Sequence, residues 1–508
     1  MSNMQKTDVL VIGCGIAGGT VALKLADKGI PVTVVTRTNE PVESNTYYAQ
    51  GGVVYKGEKD TPEKLAQDIM KAGADHSDLK AVNILANEGP ELVEEFLIKR
   101  IGVSFDKLAN GHFSFAKEGG HTEPRIIHVA DATGVAIEDE LVDSLASHPN
   151  INLLKGMTAI DFIKNKDKCL GGIFLDQKTE KTIQIFAKKT ILATGGFSSI
   201  YLHTANPAGA RGDGLAMAER AGIKVKDLEY VQFHPTVFHM IPESRFLISE
   251  AVRGAGARIV KADGTTVMDY YDKERKDMAT RDVVARCIYE EIEKHNLEHL
   301  YLDLYSYIPK KAILERFPNI YKTCLNCGVD ITKELVPVIP AAHYACGGVV
   351  ADEWGRTSLE NLYALGEVAC TGVQGANRLA STSLLEGMVF ANRTQQDILE
   401  NPGNNVEIVE LEDIEISKKY LPLAMISRYM KKIKSIMWHH VGIIRTIKEL
   451  KMAVEELEEM SKELDYYYTE FELTDDLIGL RNACTTGVMV TKAALANEQS
   501  LGCHCRRD

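Results

Sequence analysis

The side chains able to do chemistry here are His234, Arg253, Arg281, His343 and Arg378, most of them on Gly- or Pro-flanked segments. A guanidinium keeps its charge at any working pH and clamps a carboxylate through paired N–H donors. Three of them accompanied by two imidazoles suit a small di-acid. The chain has no Ser-His-Asp pattern, no H-E-x-x-H helix and no P-loop lysine. Redox chemistry fits what is present: a cofactor accepts hydride, and the protein supplies orientation and charge.

A seat for such a cofactor lies at the N-terminus. The apolar run Val9-Leu-Val-Ile12 passes into Gly13-x-Gly15-x-x-Gly18, and the apolar positions then take helical spacing. Gly13 permits the tight turn, Gly15 lets backbone approach a pyrophosphate, and Gly18 lets helix and strand pack closely. The helix start then offers free N–H groups and partial positive charge to phosphate. A second strand, 32–35, follows, but no acid stands after it to bind a ribose. Thr36-Arg37 is there instead, and by itself Arg37 suggests an NADP 2′-phosphate.

The 508 residues, 45% hydrophobic and 25% charged, suffice for about three domains or subdomains. A formal net charge of −13 argues against a nucleic-acid surface, and no apolar run reaches the length of a membrane span. The lead-in lacks a signal peptide's apolar stretch, so the expected home is the cytoplasm, with no membrane or nucleic-acid partner. There the 10 cysteines stay reduced. Cys324-x-x-Cys327 and Cys503-His504-Cys505 could each be half of a zinc site, but nothing in the spacing requires them to meet. We read them as unligated thiols, with no metal.

In chain order, Ser44-Asn45-Thr46-Tyr47-Tyr48-Ala49-Gln50-Gly51-Gly52 suits a loop over a flat cofactor. Residues 61–108 read as helical, within them 62–72 and 79–101; 117–128, with Glu118, is a ligand-touching loop. A helix over 132–146, a strand pair over 151–161 and a buried strand ending at Ala193-Thr194-Gly195-Gly196 come next. Asp213 opens a glycine-led helix, either as its cap or as a ligand to a cofactor hydroxyl. Residues 229–339 read as an insertion, after which the sheet resumes in a strand ending at Glu367. A helix rich in N-capping hydroxyls starts near Ser383-Leu384. A linker at 401–405 precedes a helical bundle.

Taken together, Tyr48-Ala-Gln-Gly-Gly52, Phe233-His-Pro-Thr236, Glu250-x-x-Arg253-Gly254, Arg281-Asp282, His343-Tyr344 and Gly375-Ala-Asn-Arg378 resemble one flavoprotein family. It contains the L-aspartate oxidases, fumarate reductases and succinate dehydrogenase flavoprotein subunits. The resemblance runs from Val9 to about Arg393, with a weaker match in the helical tail. It implies an α/β chain: a Rossmann-like FAD-binding domain (1–228 and 346–400), an inserted α+β capping domain (229–345) and a C-terminal helical bundle (411–508).

Two positions select within the family. Respiratory members attach FAD through a histidine where this chain has Asn45; an amide cannot replace that nucleophile, so FAD is expected to be non-covalent. Glu118-Gly119-Gly120-His121 looks like the aspartate-oxidising form of its loop, with a carboxylate for the substrate amino group. The branch implied is the one converting L-aspartate to iminoaspartate for NAD biosynthesis, with oxygen or fumarate as acceptor and quinolinate synthase as the downstream, transient partner.

By the same resemblance His234, His343 and Arg378 hold the carboxylates. Ser249 adds a hydroxyl where the family usually has Thr. Arg281 is the proton donor and acceptor at Cβ in the fumarate direction, relayed through Glu250 and Arg253. Arginine is an unusual acid because its pKa is normally above about 12; burial and crowding with other cations would ease its deprotonation. FAD contacts are implied at Gly13, Cys14, Gly15, Ile16, Ala17, Gly18, Arg37, Asn45, Thr46, Tyr47, Tyr48, Ala49, Gln50, Gly51, Gly52, Thr158, Ala159, Asp213, Glu367, Ser383 and Leu384. A fumarate reductase-type flavoprotein and a non-catalytic flavin-binding protein are the alternative readings.

Overall fold

Val9, Leu10, Val11 and Ile12 are all buried because the Met4–Ile12 strand has a neighbour on each edge and helices on each face. The computed structural model describes residues 4–240, 246–403, 405–410 and 419–508. Met4–Ile12 pairs in parallel with Val32–Val35 on one side and with Lys181–Leu192 on the other. Ile151–Leu154 extends the sheet beyond Val32–Val35, and Leu362–Ala364 joins the far end of Lys181–Leu192, also in parallel. Lys168–Asp176 and Met157–Asn165 complete it as an antiparallel meander.

The 151–161 segment therefore does not form a strand pair. Its two strands stand at opposite edges of the sheet, Ile151–Leu154 beside Val32–Val35 and Met157–Asn165 beside Lys168–Asp176. The Leu79 helix has a local irregularity of its own. Asp78 caps it, Pro90 removes a backbone donor inside it, and from Val93 to Arg100 it continues as a wider π-helix.

A second sheet, antiparallel, runs in the order Val231–Phe238, Val336–Ala345, Leu300–Asp303, Arg258–Val260. It has its own apolar core, including Ile259, Val284, Ile288, Leu302 and Val338. The register between Val231–Phe238 and Val336–Ala345 shifts on both sides of the Phe233–His234 pair, a local kink of the kind that re-aims side chains.

The last described segment holds the helices Leu423–His440, Ile447–Glu470 and Asp475–Ala496. In the middle one, Leu450, Ala453, Leu457, Met460 and Leu464 are buried at three- and four-residue spacing, which faces a single apolar stripe inward. Thr446 and Thr474 cap the starts of the second and third. The expected start of this region at 411, and position 404 of the linker, lie outside the described residues.

Candidate functional site

The glycine turn is shaped as its spacing requires. Gly13 has φ of +107°, and a Cβ there would lie 2.2 Å from the Ala193 carbonyl oxygen. A Cβ on Gly18 would meet the Gly13 carbonyl oxygen at 2.1 Å, so Gly18 serves helix–strand packing and does not line the cavity. The Ile16–Ala26 helix starts at Gly15 with no side-chain cap. Its first amide, Ile16 N–H, donates to Thr46 Oγ1 at 3.0 Å.

One cavity of about 240 Å³ runs from this turn to the second sheet. Gly13, Cys14, Gly15, Ile16, Ala17, Arg37, Asn45, Thr46, Tyr48, Ala49, Gln50, Gly51, Gly52, Ala159, Asp213, Glu367, Ser383 and Leu384 line it. So do Glu118, His234, Ser249, Glu250, Arg281, His343 and Arg378. Tyr47, Thr158 and Arg253 stand outside it. Thr158 Oγ1 turns instead to Asp475, 2.8 Å away, and Arg253 lies fully buried behind Glu250.

Asp213 is the first residue of its helix, and Gly212 at the cap has no side chain to offer. The carboxylate takes Arg211 Nε at 3.1 Å and Asn482 Nδ2 at 2.8 Å. Glu367 accepts Ala345 N–H at 3.0 Å and Asn45 Nδ2–H at 2.8 Å. Burial pushes Glu367 up to about 7, against the pull of those two donors.

At the other end, hydrogen bonding settles the tautomers of both histidines. Thr236 N–H donates to His234 Nδ1 at 3.2 Å, so the proton of His234 is on Nε2. Arg378 Nη2 stands 2.9 Å from His343 Nε2; a guanidinium only donates, so the proton of His343 is on Nδ1. Neither of these N–H groups, nor Arg378 Nε, has a protein partner although all are buried. Burial, helped by the neighbouring guanidiniums, drives both imidazoles well below their ordinary pKa, so they act as neutral donors. The rings lie 5.3 Å apart.

Arg378 also donates to Ser383 Oγ at 2.8 Å and stacks on the Tyr344 ring at 4.4 Å. Burial, then the nearby Arg281 charge, lowers its pKa to about 10. Arg281 Nε pairs with Glu250 Oε2 at 2.7 Å, and its Nη1 donates to Gln232 Oε1 at 3.1 Å. Glu250 Oε1 faces Arg253 Nη2 at 3.4 Å and accepts Gly119 N–H at 3.0 Å. Arg281, Glu250 and Arg253 thus stand in file from the cavity into the protein. Ser249 caps the short Glu250 helix through Ala251 N–H.

The two buried acids are driven apart. Burial disfavours charge on Glu250, but Arg281 and Arg253 more than offset it and hold its pKa below the ordinary value. Burial and the Glu250 charge raise Glu118, whose Oε2 takes the Ser381 hydroxyl at 2.6 Å. Opposite shifts in adjacent carboxyls assign one to carry charge and the other to exchange a proton.

Several lining residues carry no motif: Met157, Ala205, Asn206, Leu247 and Ser381. Asp475 and Asn482 act on the site from the last helix, more than 260 positions from Arg211 and Asp213, which no local pattern reveals. Cys503 Sγ approaches Asn377 Oδ1 at 3.3 Å, while Cys324 sits in the core of the second sheet's region. Among the described residues no cluster of three or more His, Cys, Asp or Glu side chains is arranged to hold a metal.

Residues 8–384 match the family model "FAD binding domain", and 430–508 match "Fumarate reductase flavoprotein C-term". The helix start, whose cap residue Gly15 has no side chain, and the orphaned donors fit that cofactor at the glycine turn and an anion at the far end. L-aspartate oxidase 1 of Ralstonia nicotianae is 41% identical over 99% of this chain and 95% of its own length. L-aspartate oxidase of Yersinia pestis is 38% identical over 100% and 97%. Among solved structures, a point variant of E. coli quinol fumarate reductase FrdA superimposes with a TM-score of 0.91 at 25% identity, covering 100% of this chain and 92% of that one.

Proposed function

We infer that this chain, which belongs to the L-aspartate oxidase family, oxidises L-aspartate to iminoaspartate, the first step of de novo NAD biosynthesis. FAD, when bound, supplies the two-electron acceptor and is reoxidised by oxygen or fumarate. The observation carrying the substrate assignment is the set of buried donors without protein partners around one cavity: His234 Nε2–H, His343 Nδ1–H and Arg378 Nε–H. An unpaired buried donor is costly, and a dicarboxylate relieves that cost.

In this reading the two histidines and Arg378 hold the carboxylates, and Ser249 adds a hydroxyl. Glu118 faces the amino group: raised in pKa while the site is empty of cation, it gives up its proton to bulk or to the relay as an ammonium arrives. Arg281 moves the Cβ proton in the fumarate direction, with Glu250 and Arg253 behind it. The carboxylate clamp fixes the substrate in one orientation, which removes much of the entropic barrier.

FAD is held without a covalent bond, since Asn45 offers an amide engaged by Glu367. The chain works in the cytoplasm, a reading supported by ten free thiols. The imine product hydrolyses in water, which supports transient hand-over to quinolinate synthase. No helix among the described residues is long and apolar enough to cross a membrane.

Anaerobic titration tests the assignment. L-aspartate should bleach the flavin absorbance and succinate should not. Bleaching by succinate alone would favour a fumarate reductase-type flavoprotein instead.

A further inference from the structure

Glu138 lies on the Thr133–Ser147 helix, completely buried, and its carboxyl oxygens make no well-aligned hydrogen bond, with the Ser44 and Thr46 hydroxyls the nearest donors to it. A buried carboxyl without partners is among the least tolerated polar groups in a fold. The start of its helix presses on the loop over the glycine turn: Gly134 N–H donates to the Ala49 carbonyl at 2.6 Å. The polar groups facing Glu138 are the hydroxyls of Ser44 and Thr46.

Both hydroxyl oxygens already accept a backbone amide, Tyr47 N–H at 3.3 Å for Ser44 and Ile16 N–H at 3.0 Å for Thr46. Each has one lone pair and its own proton left. Both residues line the cavity beside Gly15, where a Cβ would come within 3.1 Å of Thr46 Oγ1. That is the place the glycine turn reserves for pyrophosphate.

We propose that Glu138 is a positioning residue for FAD: as a neutral carboxyl it donates toward the Ser44 and Thr46 pair, leaving their own protons to point at the pyrophosphate. An ionised Glu138 does the reverse. It draws both hydroxyl protons to itself and sets a negative charge behind the phosphates. Burial raises Glu138 to about 8, with Ser44 and Thr46 pulling down and Asp139 pushing up. Cys14, the other titratable group facing it, is pushed up to about 12 by burial and then by Glu138, partly offset by Lys155, so it stays a neutral thiol. The proposal rests on FAD as cofactor and is independent of which di-acid is oxidised.

The test is the affinity of the apoprotein for FAD, followed by flavin fluorescence from pH 6.5 to 9.5. Glu367 also titrates in this cavity, so the Glu138 contribution is read as the difference between wild type and Glu138→Gln. Wild type should lose affinity above pH 8, up to about tenfold per unit, more steeply than Glu138→Gln. Glu138→Gln, a neutral donor of the same shape, should match wild type at pH 6.5 within about threefold. Glu138→Leu, which fills the space without a donor, should bind FAD at least about tenfold more weakly at that pH with an unchanged melting temperature of the apoprotein. Equal pH profiles for wild type and Glu138→Gln overturn the proposal, and so does full affinity in Glu138→Leu. If Glu138→Leu does not fold, the Glu138→Gln comparison decides alone.

Discussion

Arg37 Nη1 lies 3.1 Å from Asp475 Oδ2, joining the end of the second strand to the first turn of the last helix across 438 positions. The same carboxylate takes Arg211 Nη2 at 2.6 Å and Thr158 Oγ1 at 2.8 Å. Arg37 therefore already has a carboxylate partner within the protein itself. The arginine that suggested NADP is a wall of the FAD cavity, tied to the helical tail.

Asp475→Asn should weaken FAD binding several-fold and lower the melting temperature, because Arg211, buried beside it, loses one of its two counter-charges. Breaking a pair of this kind costs about 3 kcal/mol. Burial opposes the charge on Asp475, but Arg211 and Arg37 outweigh it and keep its pKa low. Its stabilisation is present above the ordinary carboxylate pKa and is lost as pH falls through the lowered value. Thermal melts at neutral and acid pH check this; an unchanged melting temperature at neutral pH refutes it.

Arg378→Met removes the guanidinium that bridges His343 and Ser383 and stacks on Tyr344. A charged contact to a carboxylate is worth about 2–5 kcal/mol when one partner is removed. The KM for L-aspartate should rise at least about thirtyfold, with the fold intact by circular dichroism. A KM within threefold of wild type contradicts the clamp.

Glu118→Gln should separate substrates. Oxidation of L-aspartate loses its partner for the amino group, while fumarate, which has none, should be reduced at nearly the wild-type kcat/KM. Burial and the Glu250 charge raise Glu118. The acid limb of kcat/KM for L-aspartate should therefore lie above the ordinary carboxylate range in wild type and vanish in Glu118→Gln. Equal losses with both substrates would remove Glu118 from the amino-group role.

Arg125 anchors the loop bearing Glu118. It is fully buried, pairs with Asp60 at 2.7 Å and Asp68 at 2.5 Å, and approaches His121 Nδ1 at 2.9 Å. His121 in turn reaches the Ala380 carbonyl beside Ser381. Arg125→Met strands two buried acids, a loss of about 3–5 kcal/mol. The melting temperature should drop by several degrees and the KM for L-aspartate should rise. Arg125→Lys should not restore either, since one ammonium cannot fork to Asp60 while holding Asp68. A melting temperature within 1 °C of wild type would show the network to be dispensable.

Asn45 donates to Glu367 and holds no nucleophile toward a ring. Acid precipitation of the holoprotein should leave all the flavin in the supernatant; a yellow pellet would mean covalent attachment.

Residue type and spacing alone carried the glycine turn, the Ala-Gln-Gly-Gly loop, the two histidines of the second sheet and the arginines that accompany them, because each works through local backbone or a fixed charge. Gly13 and Gly18 need no partner for their steric roles to be legible. Spacing could not say that Thr158 turns to Asp475 and away from the cavity, or that Arg253 stands one layer behind Glu250. Nor could it separate the 151–161 strands to opposite sheet edges, since a strand's neighbours depend on contacts far along the chain.

Glu138 shows the division most sharply. In the sequence it is one acid on an amphipathic helix, adjacent to Asp139 and Glu140 and of the same type as any solvated residue. Only the packing of that helix under the Ser44–Thr46 loop buries its carboxyl and leaves it no partner but two hydroxyls that it meets out of alignment. Residue types and their order along the chain mark which side chains could bind a dinucleotide and a di-acid. Folding selects which of them share one cavity and which nitrogens are left to donate. It also decides which acids hold their protons, because burial and long-range charge are properties of the folded surroundings and not of the residue.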